Sequence, residues 1–250
     1  MSSAVTGAVI FACLSASVLI GMSIRRRLPS THLDSETRDA VKLAMGLIAT
    51  MSALLLGLLV SSAKSAYDTE RAEVTEMASK IMFVDRLLAA WGPEAAPVRA
   101  EFRSVVEDAV ARMWPDEHGT TQLAPNAKAG DAVYAAIQRL APRDEMQRNI
   151  QGDAAKLAME LARTRTLLFA QAGSSVSKPL LAVVVFWLVV IFMSFSLIAP
   201  RNPTAIIALL VSAFSVAVAL FLILELDRPF GGLIQLSSEP MRRAIEQMGK

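Results

Sequence analysis

Charged residues are distributed along this chain in blocks. Residues 2–24, 43–63, 179–200 and 202–224 contain no Asp, Glu, Lys or Arg, in uninterrupted runs of 23, 21, 22 and 23 residues. About 20 mainly apolar residues, rising 1.5 Å each, cross a hydrocarbon core about 30 Å thick, so each run predicts a transmembrane helix. The spans pair two and two. A loop from Arg25 to about Asp39 joins the first pair, and a tight turn at Pro200, Arg201, Asn202 and Pro203 joins the second. The 115 residues at 64–178 hold nearly all the charge and predict an extramembrane helical region.

Within that region the apolar spacing changes to that of half-wet helices. Residues 58–91 contain neither Gly nor Pro, so the second membrane helix is predicted to continue out of the bilayer without a break. Val74, Met77, Ile81, Val84, Leu88 and Trp91 follow in steps of three and four, the spacing of a coiled-coil seam, until Gly92 and Pro93 end the helix. A second amphipathic stretch carries Val98, Phe102, Val105 and Ala109 and stops near Pro115. After a loop at 115–130, a short helix carries Val133, Ile137 and Leu140. A last arm presents Met146, Ile150, Leu157, Leu161 and Leu168 and leads into the third span. A closing helix at 239–248 sets Met241, Ile245 and Met248 against Arg242 and Arg243, a pattern suited to a membrane surface. The domains expected are a first transmembrane hairpin at 1–63, the helical region at 64–178, a second hairpin at 179–226 and a tail at 227–250. The fold class is an all-α membrane protein with four transmembrane helices.

Composition adds exclusions. The chain is 54% hydrophobic and 19% charged with mean hydropathy +0.44, and a net charge of +2 gives no basis for nucleic acid as a partner. Cys13 is the single cysteine, so no intrachain disulfide forms. Arg25, Arg26 and Arg27 follow the first apolar run rather than precede it, opposite to a secretory signal, and that run is expected to stay as a span. Short-loop arginines, Arg201 included, favour the cytoplasm and lean the 64–178 region to the other side.

No catalytic constellation assembles, and no cofactor, metal or enzymatic role is expected. The two histidines, His32 and His118, are far apart and outside any metal-binding spacing. The alternation His32, Asp34, Glu36 reads more simply as a loop entering a helix cap than as ion ligands. The second span is more informative. At 100° per residue, Lys42, Gly46, Ala49, Ala53, Leu56, Gly57, Val60 and Lys64 fall within an arc of roughly 100°. That face is nearly all small side chains, with lysines about 33 Å apart by helical rise. Two readings compete: close helix packing with snorkelling lysines, or, if several copies surround an axis, a narrow conduit with basic mouths that favours anions. Glu225, Asp227 and Arg228 form a helix-end charge cluster after the fourth span, read either as a solvated turn or as a half-buried pair. The small-residue stripe, with a seam that a lone subunit would leave wet, calls for a homo-oligomer in the lipid bilayer. The alternative is a non-conducting scaffold or sensor that binds a partner through the seam.

The stretch GLLVSSAKSAYDTERAEVTEMASKI, with Tyr67, Asp68, Arg71, Val74 and Glu76 leading out of the second span, and the stretch LELDRPFGG at 224–232 resemble the two hallmarks of the bestrophin-like domain family of bacterial membrane proteins. The resemblance covers about residues 4–248. It implies a bacterial inner-membrane protein related to bestrophins, which are pentameric anion channels with four membrane helices per subunit and a pore lined by the second. On that analogy the partners are small inorganic ions, and the 64–178 region is cytoplasmic, against the lean of the arginines. Bestrophins narrow the pore with bulky apolar rings where this chain has Gly46, Ala49, Ala53 and Gly57. Their acidic calcium-binding run after the last span is reduced here to Glu225, Asp227 and Glu239.

Overall fold

The computed structural model describes residues 2–27, 29, 34–115, 124, 126–171, 176–200 and 202–249, with 127 and 171 as backbone only. Those residues form eight α-helices and no strand: α1 (Ser3–Arg25), α2 (Ser35–Trp91), α3 (Ala96–Met113), α4 (Ala127–Gln138), α5 (Glu145–Gln171), α6 (Lys178–Ile198), α7 (Pro203–Leu226) and α8 (Glu239–Gln247). Four of them, α1, α2, α6 and α7, are long and apolar enough to cross a membrane.

Local chemistry sets the helix ends. Ser2, Asp34 and Asn202 each turn a side-chain oxygen onto the backbone N–H three residues on, capping α1, α2 and α7 at 3.3, 2.8 and 2.8 Å. Proline stands in the first turn of α3, α6, α7 and α8, where its missing N–H costs nothing. Helix α2 runs 57 residues without interruption and stops at Gly92, whose φ of 120° lies where a residue with a Cβ is strained. Carbonyls at two helix ends are met from α5: Gln147 Nε2 donates to Trp91 O at 3.0 Å, and Gln151 Nε2 to Ile137 O at 2.9 Å and to Leu140 O at 2.9 Å.

The chain divides into two compact units. The first comprises Met1–Ala66 and Ser174–Asp227, and the second Tyr67–Gly173 and Arg228–Lys250. In the first unit, α1 packs against both α6 and α7 around Leu14, Val18, Val184, Leu188, Ala213 and Leu220. Gly21 makes the tightest of these contacts. A Cβ there would stand 1.8 Å from Ser196 Oγ and 2.6 Å from the Met193 carbonyl oxygen, so only glycine lets α1 approach α6 this closely. Gly7 is a milder case, its Cβ position 3.1 Å from Phe221 Cβ.

In the second unit, all six seam residues of α2, from Val74 to Trp91, are buried against α3, α4, α5 and α8. The expectation that a lone subunit leaves this seam wet is therefore corrected: the chain covers it with its own helices. Asp85 of α2, only 4% exposed, receives a bidentate pair from Arg99 of α3 at 2.6 and 2.7 Å. Lys80 of α2 joins Glu76 and Glu160 at 2.8 and 3.1 Å, tying α2 to α5.

Several finer expectations also change. The closing helix does not offer its apolar face to a membrane surface. Met241, Ala244 and Met248 are buried in the second unit's core, and Arg103 Nη1 holds the Met248 carbonyl at 2.9 Å. Helix α4 starts at Ala127, inside the stretch read as loop, capped by the Asn126 side chain. Met146 is 73% exposed, whereas α5 buries Ala154 and Ala155, whose small side chains the search for large apolar residues passed over. In α3 the register advances by one residue, with Val106 buried and Val105 half-buried.

Candidate functional site

The membrane half of α2 has three distinct faces. Its buried positions are Met45, Ser52, Leu59 and Ala63, a narrow line in steps of seven and four, and Leu59 and Ala63 join the first unit's core. The large apolar side chains Leu43, Leu47, Met51, Leu54 and Leu58 are all exposed and centre roughly 145° from that line at 100° per residue. Between them, about 85° from the buried line on the other side, lies the small-residue stripe. Burying a leucine takes apolar area out of water, but in lipid that driving force is absent, so exposed leucines on this helix match the bilayer or a neighbouring chain.

On the stripe, Lys42, Gly46, Ala53, Gly57, Val60 and Lys64 are exposed, while Ala49 and Leu56 are half-buried. Leu56 leans on the first unit's core and marks one edge of the stripe. A Cβ built on Gly46 or on Gly57 would meet no atom within 4 Å. Close packing inside the subunit, one of the two readings of these small residues, is therefore not what Gly46 and Gly57 do; that role falls to Gly21 of α1. Recognising it from sequence required knowing which helix faces α1, and its partner Ser196 lies far away along the chain. Lys42 Nζ sits 2.9 Å from Asp39, a pair with both side chains more than half exposed, and such a pair is held loosely and adds little to stability.

The helix-end cluster is drawn apart by its surroundings. Glu225 is buried at 4% exposure, and Asp227 Oδ1 accepts the Val176 backbone N–H at 3.0 Å, fixing the chain just before α6. Arg228 is exposed and enters no ion pair among the described residues. Glu225 thus sits inside the fold and Asp227 is half-buried, while the arginine faces out. His32, His118 and Arg201 lie outside the described residues. Among the described residues no group of three or more His, Cys, Asp or Glu is placed to hold a metal ion.

With this geometry in hand, comparison with known proteins is informative. The family model described as bestrophin-like domain matches residues 12–241. No curated protein matches the chain. Among solved structures, the crystal structure of a point variant of a bacterial bestrophin homologue from Klebsiella pneumoniae is similar in fold, with a TM-score of 0.59 over 96% of this chain and 98% of that one, at 14% sequence identity. The two share an arrangement of helices while few side chains are the same.

Proposed function

Since the chain belongs to the bestrophin-like domain family and is an integral membrane protein, we propose that copies of it assemble around an axis in a bacterial inner membrane and conduct small inorganic ions along the small-residue face of α2. The observation that carries this reading is the open stripe. Gly46 and Gly57 meet nothing within 4 Å in the subunit, on a helix crossing the membrane, with Lys42 and Lys64 near its two ends. Small residues on an exposed transmembrane face leave room either for a close neighbour or for a water-filled path, and rings of lysine at the mouths raise the local concentration of anions. Anions are accordingly the preferred ions.

The test is ion flux through purified protein in liposomes, followed by reversal potentials in an anion gradient. Lys64→Glu and Lys42→Glu are each expected to move the reversal potential toward that of cations. Gly57→Leu should cut flux by an order of magnitude or more without lowering the melting temperature, because the added side chain enters space that the subunit leaves empty. No flux of either sign from folded protein would sink the proposal. The competing scaffold reading loses its docking surface, since Val74, Ile81 and Leu88 lie in the core.

A further inference from the structure

The second unit contains a cavity of about 450 Å³, bounded by α2, α3, α4, α5 and α8. Its wall is mostly apolar, with Met77, Phe102, Val106, Met113 and Met241 among its residues. That volume falls within the range of small-molecule sites, which run from roughly 300 to 1,000 Å³ and combine apolar walls with a few polar groups. Among its few polar groups is Arg165 of α5, whose Nε and Nη2 are buried and have no hydrogen-bond partner.

An arginine in this setting is unusual. Buried donors without partners are costly, more so when charged, and natural folds rarely tolerate them without a reason. Burial, and then repulsion from Arg112, hold the Arg165 guanidinium below the usual arginine range, with Asp108 opposing. Asp108 is already engaged by Arg112 in an ion pair one helical turn apart on α3, so Arg165 has no carboxylate of its own. Arg163 and Asp131 also line the cavity, so that the three arginines here, Arg112, Arg163 and Arg165, outnumber the two carboxylates, Asp108 and Asp131.

We propose that this cavity binds a single-chain carboxylate amphiphile, its apolar body among the methionines, valines and Phe102 and its carboxylate on the guanidinium of Arg165. A carboxylate supplies acceptors for the donors that the fold leaves unmet, in the charge-assisted geometry that arginine favours. The apolar wall selects for a hydrocarbon body over a small inorganic anion, which would leave most of the cavity uncovered. The inference stands apart from conduction and holds whether or not the α2 stripe forms a path.

The experiment uses the full chain in zwitterionic lipid nanodiscs and equilibrium dialysis with radiolabelled decanoate, empty nanodiscs serving as the blank. Saturable binding is expected, one decanoate per subunit, with decanol of the same chain length failing to compete. Arg165→Gln should weaken binding at least roughly tenfold, the factor that about 1.4 kcal/mol of lost interaction produces. Ala162→Trp, at an exposed position on the cavity wall, should abolish binding by filling the space while leaving the oligomeric state unchanged, and it decides the matter even if Arg165→Gln fails to fold. The proposal is overturned if decanol competes equally, if either folded variant binds decanoate as the parent does, or if Ala162→Trp changes the oligomeric state, which would mark this face as a contact between copies.

Discussion

Individual residues in this protein divide by whether their surroundings leave them room. Gly21 has none: a single methyl group would collide with Ser196 and with the Met193 carbonyl, and a close-packed helix pair relaxes only by moving apart. Gly21→Ala is expected to destabilise the subunit by about 1–3 kcal/mol, read as a lower melting temperature in detergent, with Gly7→Ala milder because the Phe221 side chain can yield. The pair between Asp85 and Arg99 makes a second case. Removing Arg99 alone strands a carboxylate that is 4% exposed, at a cost of about 3–5 kcal/mol, whereas Asp85→Leu with Arg99→Met replaces the pair by packing and should recover most of that loss. A double-mutant cycle by chemical denaturation checks it, and additive losses would mean that the two groups are solvated independently. The charge cluster after α7 illustrates what sequence conceals at this scale. Glu225, Asp227 and Arg228 are near neighbours in the chain, but a helix end turns adjacent residues in different directions, so Glu225 ends inside, Asp227 half-buried and the arginine outside.

At the scale of elements, most of the architecture was legible because a bilayer imposes long, simple patterns. The four uncharged runs coincide with α1, the first part of α2, α6 and α7, and the absence of Gly and Pro at 58–91 translates into one helix of 57 residues. The seam from Val74 to Trp91 is buried at every position. What was not legible is what covers each element. Periodicity identifies an apolar face without saying whether lipid, another helix or another copy meets it. By pattern the seam and α8 each face something outside the chain, yet both are buried in one core within it. The same limit applies to the stripe on α2, whose openness became visible only once α1, α6 and α7 were in place. Helix α8 supplies a direct test. Met241→Glu puts a charge at a site 1% exposed, next to Phe102 and Met113, and is expected to lower the stability of the second unit by several kcal/mol, whereas Arg243→Glu on its exposed face should lie within about 0.5 kcal/mol of the parent. Hydrogen exchange localised to α3 and α8 distinguishes this from a global loss. Unchanged protection in Met241→Glu would mean that α8 is only loosely held.

For the whole molecule, the proposal of a conducting assembly carries a plain expectation of mass. Light scattering of the protein in detergent should give a multiple of 26.9 kDa, and a single subunit would leave the leucines of α2 and its open stripe facing lipid alone. The pairing of α1 with α6 and α7 also has a consequence in time. Helix α1 finds both of its partners only after roughly 200 further residues have been made, a delay of roughly 10–40 seconds at about 5–20 residues per second. Throughout that interval α1 sits in the bilayer with the Gly7 and Gly21 grooves uncovered, next to a helix that shares little of its final contact. Nascent chains arrested before α6 should therefore be open to crosslinking from α1 to whatever insertion machinery or lipid occupies those grooves, and chains released after α7 should not. The vulnerable moment of this subunit is thus the wait of α1 for α6 and α7, before any assembly between copies can begin.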